Sequence, residues 1–246
     1  MKLAPSLVIL CGVCLTIPLG KPFKHSSSPT QTDQKSSVER KLDTEVEQFD
    51  TSGRTILASV IELAYEYQLP TAVEYIDGDF ATRPISMEFR HEPLRRILEA
   101  IIQKVPEYRL TFSGGIVDIY VPKARDDSSN FLNKFIKNFV VTQVDTQSAD
   151  MDLVCALAKE LVPPSGCFGS FAPGQWGPLK ITVHMQNSRV YEILNAIVAE
   201  NGKAIWIVTV SPDRLSKTPL INPWHIYPLE GSFKETVLDK LTSVLK

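Results

Sequence analysis

The sequence shows almost no excess charge of either sign. Its 246 residues include 26 Lys and Arg against 28 Asp and Glu, so the formal net charge is −2. Nucleic acids and anionic membrane surfaces attract proteins mainly through excess positive charge. A chain with this nearly neutral charge has no such attraction to nucleic acids or to anionic membranes, and we expect no nucleic-acid partner.

Histidine is scarce, and catalytic motifs are missing. None of the four histidines lies at zinc-ligand spacing from another histidine, a cysteine or an acidic pair. The sequence also contains no GxSxG, P-loop or strand-linked GxGxxG motif. We therefore predict no catalytic residue, no metal and no cofactor. The acidic residues Glu74, Asp77 and Asp79 match no calcium loop, and we interpret them as a solvated face.

Cysteine is equally sparse, with only four residues in the chain. Cys11 and Cys14 lie in an apolar N-terminal segment, where their spacing is uninformative. Cys155 and Cys167 could pair in an oxidising compartment and tie a loop to a helix. Alternatively, Cys155 packs as a small buried hydrophobe. Cys167 could also act as a nucleophile, but the residues around it match no local protease signature.

The N-terminus has the layout of a secretory signal peptide. Lys2 precedes an apolar stretch, residues 3–19, without acid or base, and the chain turns polar after Gly20. We predict a signal peptide over 1–20, cleaved near Gly20, and a periplasmic or otherwise extracytoplasmic protein without a membrane span in its mature form. An uncleaved anchor is the alternative, because such a stretch is at the short limit for a bilayer. Residues 21–45 are polar and predict a disordered tether.

The main organising feature is an internal repeat. Residues 85–101 align without gaps on residues 181–197, at a constant offset of 96. Each copy begins with apolar residues that alternate with polar ones, which is typical of a half-buried strand. Each then changes to helical spacing. The matched apolar positions are Ile85, Met87, Phe89, Leu94, Ile97, Leu98 and Ile101, and Ile181, Val183, Met185, Val190, Ile193, Leu194 and Ile197.

The repeat predicts an α+β fold of two small modules. Each copy has an amphipathic helix upstream and strand patterns downstream, so each module should follow β-α-β-β-α-β-β, with two helices on one face of a mixed sheet. The upstream helices carry the apolar stripes Ile56, Val60, Leu63 and Tyr67, and Leu153, Val154, Leu157 and Leu161. The predicted boundaries are 46–123 for module 1, 124–136 for a linker, 137–229 for a divergent module 2 and 230–246 for a C-terminal helix.

The strand and helix runs at 56–67, 85–101 and 108–121 resemble the short N-terminal domain of secretins and TonB-dependent receptors. The resemblance covers about residues 46–123, with a looser similarity over 137–210. It implies a periplasmic module that receives protein partners at the mouth of an outer-membrane channel or receptor. Those proteins continue into a large membrane β-structure that this chain is too short to contain, so the expectation is a non-enzymatic adaptor or scaffold of the cell envelope, with oligomers possible.

One long loop is a candidate binding element. Residues 163–178 are rich in glycine and proline and carry Phe168, Phe171 and Trp176. Aromatic side chains on long loops often mediate binding. The loop could contact a protein partner, bind a small ligand or glycan, or fold back as a lid over its own core. Open sheet edges are a second candidate, since an edge can accept a partner strand.

Overall fold

The computed structural model describes residues 37–74, 80, 82–161, 179–208 and 224–230. Within these ranges the fold is α+β, as predicted, and combines helices with a mixed sheet. No helix in the described ranges is both long enough and apolar enough to cross a lipid bilayer.

Module 1 has the predicted order of elements. Its strands are β1 (Glu45–Asp50), β2 (Arg54–Thr55), β3 (Thr71–Val73), β4 (Pro84–Ile85), β5 (Glu88–Pro93), β6 (Arg109–Ser113) and β7 (Ile116–Tyr120), and its helices are α1 (Ser37–Leu42), α2 (Ile56–Glu66) and α3 (Leu94–Ile102). Without α1 and the two-residue strands β2 and β4, this order is β-α-β-β-α-β-β. Thr55 caps α2 by accepting a hydrogen bond from the Ala58 N–H at 3.1 Å.

Part of the predicted tether is structured. Residues 21–45 were expected to form a tether, but Ser37–Leu42 is helical. Val38 and Leu42 are one helical turn apart and are both buried in the core of module 1. Two apolar residues at this spacing are enough to anchor a short helix when a core is available to receive them.

Module 2 contains β8 (Phe135–Val144), α5 (Thr146–Leu161), β9 (Ile181–Arg189), α6 (Val190–Asn201), β10 (Ala204–Val208) and β11 (Trp224–Pro228). The predicted linker, 124–136, is structured: it includes most of α4 (Pro122–Asp126), a 3₁₀ turn (Phe131–Asn133) and the start of β8. Phe131 and Leu132 of that turn are buried in the core of module 2. The predicted C-terminal helix lies outside the described residues, except for Glu230.

The two copies of the repeat match in conformation from Glu88 and His184 onward, whereas module 1 has the separate strand β4 before Glu88 and module 2 has the start of β9 itself before His184. Helix α3 begins at Leu94 and helix α6 at Val190, 96 positions later, and each follows directly on a strand. His91 and Asn187, also 96 positions apart, both have left-handed backbones, with φ of 52° and 47°. Few residues other than glycine adopt this conformation, so its recurrence at one repeat position is strong evidence for a common local fold.

One five-stranded sheet joins the modules, in the order β11-β10-β3-β7-β6. Strand β3 of module 1 is parallel to β7 of its own module and to β10 of module 2, with Trp206 opposite Ala72. Side chains alternate between the faces, so Ile205 and Ile207 enter the core of module 1 while Trp206 enters that of module 2. The modules therefore have separate cores on opposite faces of a shared sheet, and all described residues belong to one structural unit.

The shared sheet predicts that damage in one module is felt in the other. All three tryptophans, Trp176, Trp206 and Trp224, belong to the sequence of module 2. Ile97→Ala removes a fully buried side chain from module 1, at a cost of about 2–5 kcal/mol. Because the modules share backbone pairing, we expect the urea midpoint measured by tryptophan fluorescence to fall.

The matched control is Ile193→Ala, which alters the equivalent buried position of module 2. Both variants should lower the fluorescence and far-UV circular dichroism midpoints together. An unchanged fluorescence midpoint in Ile97→Ala, with a separate early transition in circular dichroism, would show that the modules unfold independently.

Candidate functional site

A buried ionic cluster lies where the two modules meet. We call Glu74, Asp118, Arg125, Tyr120 and Tyr191 the junction cluster. The Arg125 Nε donates to Glu74 Oε1 at 2.7 Å, and its Nη2 donates both to the same oxygen and to Asp118 Oδ2, the latter at 2.5 Å. The side chain of Glu74 is 1% exposed and that of Asp118 is 6% exposed, so both carboxyl groups are effectively removed from water.

The sheet places these carboxyl groups together. Glu74 immediately follows β3, and its backbone N–H donates to the Ile119 carbonyl of β7 at 3.0 Å. Asp118 lies in the middle of β7, opposite Ala72. Side chains alternate along both strands, so Glu74 and Asp118 point to the same face as Ala72, which is the face covered by module 2.

The guanidinium group of Arg125 lies between two tyrosine rings from different modules. Its Cζ is 3.6 Å from the ring centroid of Tyr120, at the end of β7, and 4.5 Å from that of Tyr191, in the first turn of α6. A guanidinium over an aromatic face gains cation–π attraction, which is strongest away from water. The cluster therefore connects module 1 to the first helical turn of the repeat in module 2.

Buried polar side chains of module 2 are also paired. The Trp206 Nε1 donates to Asn195 Oδ1 at 2.8 Å. The Trp224 Nε1 donates to Asp150 Oδ1 at 2.6 Å. Buried indole N–H groups normally have such partners, because an unpaired donor is costly to bury.

Burial raises the pKa of Glu74 to about 7, while the hydrogen bonds and charge of Arg125 oppose this rise. Burial also raises the pKa of Asp118. For Arg125, burial lowers the pKa, but Glu74 and Asp118 raise it further, so the net direction is upward. Two ionised carboxylates would leave a buried excess negative charge on one guanidinium. Glu74 Oε2 and Asp118 Oδ1 both lack a hydrogen-bond partner among the described residues. With a pKa of about 7, Glu74 is partly protonated at neutral pH.

The junction cluster corrects one sequence-based interpretation. Glu74 was grouped with Asp77 and Asp79 as a solvated acidic face, but it is buried and paired with Arg125, from the predicted linker. Asp77 and Asp79 lie outside the described residues. Sequence reasoning missed the cluster because its members are up to 117 positions apart, from Glu74 to Tyr191. The available signal was Asp118, an isolated acid in the apolar run 116–121. Such a residue needs a partner when its strand is buried on both faces.

The residues predicted for binding lie elsewhere. Phe168, Phe171, Trp176 and Cys167 are outside the described residues, so the role of the aromatic loop stays a prediction. Cys155 lies in α5 and is disulfide-bonded, which excludes the alternative of a free buried thiol. The partner of this bond also lies outside the described residues, and pairing with Cys167 stays a prediction.

The cluster is suited to holding the modules together. Its charged groups are paired with each other and enclosed between the sheet, α4 and α6. Within the described ranges, no group of three or more histidine, cysteine or acidic side chains is placed to hold a metal ion.

Comparison with protein-family models, with curated proteins and with solved structures finds no match to this chain. The similarity to the short N-terminal domain of secretins and TonB-dependent receptors therefore stays a prediction from sequence pattern.

Removing the cation of the cluster should strongly destabilise the protein. Arg125→Ala leaves two buried carboxyl groups without their counter-charge, which we expect to cost about 3–5 kcal/mol. The matched control is Arg96→Ala, because Arg96 is 73% exposed and pairs with Glu99 at 3.6 Å on the surface of α3. That pair should contribute at most about 0.5 kcal/mol. Urea unfolding measures both, and equal losses would show that the cluster is not a buried ionic junction.

The proton on Glu74 should make stability depend on pH. Its pKa in the folded state, about 7, is above the ordinary value of 4.5, so the folded protein binds the proton more tightly. The resulting stabilisation is complete below pH 4.5 and is lost as the pH rises through 7, by roughly 3 kcal/mol at most.

The variant Glu74→Gln isolates this effect, because glutamine cannot ionise. Between pH 5 and pH 8.5, the free energy of unfolding of the wild type should fall relative to that of the variant. Urea titrations at several pH values in this window provide the measurement. Parallel profiles for the two proteins would mean that Glu74 is ionised throughout.

Proposed function

We propose that this protein is an exported, non-enzymatic protein-interaction module that acts as an adaptor or scaffold in the cell envelope. The observation that carries the proposal is the way the modules bind each other. Strand β10 of module 2 is added to β3 of module 1, and one continuous sheet results. A module that recognises another by extending its sheet uses the same contacts by which many interaction domains bind partner strands.

The same sheet offers further places for this kind of contact. Strands β6 and β11 end the sheet and have no outer neighbour among the described residues. Backbone N–H and C=O groups along a sheet edge can pair with an incoming strand. This supports a binding role based on backbone and apolar contacts.

Two observations support an extracytoplasmic location. Residues 1–20 have the charge and hydropathy layout of a signal peptide. Cys155 is disulfide-bonded, and such bonds persist mainly in oxidising compartments such as the periplasm. The two features lie in different parts of the sequence, and both are typical of a protein outside the cytoplasm.

The test compares the full chain with a variant lacking residues 2–20 in the native cells. The full chain should have Cys155 oxidised, as measured by mass spectrometry after thiol labelling, and a lysine-reactive cross-linker should join it to other envelope proteins. The shortened variant should stay in the cytoplasm with Cys155 reduced and form none of these adducts. A reduced Cys155 in the full chain, or the absence of any protein adduct, would contradict the proposal.

A further inference from the structure

Each module carries a two-stranded antiparallel ribbon of its own. Ribbon 1 is formed by β1 and β5, and ribbon 2 by β8 and β9. Glu45 lies opposite Pro93, and Phe135 lies opposite Arg189, which is the repeat equivalent of Pro93. Positions in β1 and β8 therefore correspond at an offset of 90, and the two ribbons can be compared residue by residue.

The outward faces of the ribbons differ sharply in polarity. Ribbon 1 has exposed acids at Glu45 and Asp50. The corresponding residues of ribbon 2 are Phe135 and Val140, which are 56% and 52% exposed. Single exposed apolar residues are common. Here, however, the same backbone accommodates charged residues at the same positions in module 1, so folding does not require apolar side chains there.

Ribbon 2 also lacks negative charge. Neither β8 nor β9 contains an aspartate or a glutamate, whereas each contains one strongly basic residue, Lys137 or Arg189. Arg189 lies over the ring of Phe135, with its Cζ 5.5 Å from the ring centroid. Ribbon 1 has the opposite character, because its one strongly basic residue, Arg90, pairs with Glu88 and is outnumbered by acids. These acids are Glu45, Glu47, Asp50, Glu88 and Glu92.

We propose that ribbon 2 is the docking surface for an extended segment of another envelope protein that presents apolar and acidic side chains on the same face. Apolar side chains of this segment would cover Phe135 and Val140, and its acids would pair with Lys137 and Arg189. The inference rests on the proposed function and names the surface and the chemistry of the partner.

The backbone of ribbon 2 is suited to such a segment. Strand β8 has ten residues and β9 has nine, and among the described residues neither has a second strand neighbour. An extended segment can add to such an edge through backbone hydrogen bonds, and every second side chain of it then lies beside the exposed side chains on the outward face of ribbon 2. Ribbon 1 of a second copy of this chain would bind ribbon 2 less well than such a segment, because ribbon 1 has acids but no exposed large apolar side chains.

The experiment places a photo-cross-linker on equivalent positions of the two ribbons. Val140→p-benzoylphenylalanine reports on ribbon 2, and Asp50→p-benzoylphenylalanine is the matched control on ribbon 1. In native cells, the probe at 140 should form an adduct whose partner peptide, identified by mass spectrometry, contains apolar and acidic residues two positions apart. The probe at 50 should not form this adduct.

A synthetic peptide with the cross-linked sequence then tests the chemistry with purified protein. Val140→Asp and Lys137→Glu should each weaken its binding at least about tenfold, while Asp50→Val leaves binding unchanged. All three positions are exposed, so the variants should keep the melting temperature of the wild type, which is measured in parallel.

Four results would overturn the inference: equal adducts from both ribbons, an adduct with a second copy of this chain, a partner peptide without acids, or unchanged binding in Val140→Asp. If the lysine cross-linker still captures envelope proteins while the probe at 140 captures none, ribbon 2 is not the docking surface but the proposed function stands. If neither reagent captures a protein, both proposals fail.

Discussion

The parallel pairing of β3 with β10 is the contact on which the rest of this structure depends. It gives β3 strand neighbours on both sides and places the helices of the two modules on opposite faces of one sheet. Each module then covers the face that the other would expose, as Ile205 and Ile207 do for module 1 and Ala72 and Ile116 do for module 2. Two small cores that would be marginal alone support each other.

This pairing also explains why charged groups are buried at the junction. When the sheet is covered on both faces, Glu74 and Asp118 lose contact with water, and ionising both would be very costly. Arg125 offsets much of that cost, and Tyr120 and Tyr191 enclose its guanidinium group. Ion pairs of this kind often contribute more to specificity than to net stability. Here the pairs connect β3, β7 and α4 of one part of the chain with α6 of the other.

The strands of this protein form two kinds of surface: one pairs the two modules with each other, and the other faces outward. The central sheet serves association between modules, whereas the two ribbons have kept one backbone and diverged in surface chemistry. Ribbon 1 is acidic, and ribbon 2 is apolar and basic. Divergence on the outward face of a duplicated unit is expected when only one copy contacts a partner, because folding constrains the inward residues alone.

The local structure was determined by sequence patterns at short range. Alternating and helical spacing placed the strand-to-helix transitions at Leu94 and Val190, because side-chain periodicity follows directly from backbone geometry. The shared sheet and the junction cluster were decided only by tertiary structure. Whether β10 pairs with β3 in addition to β11 depends on contacts between positions about 130 apart. Whether Glu74 is solvated or buried depends on where module 2 and Arg125 come to lie. No local periodicity carries that information.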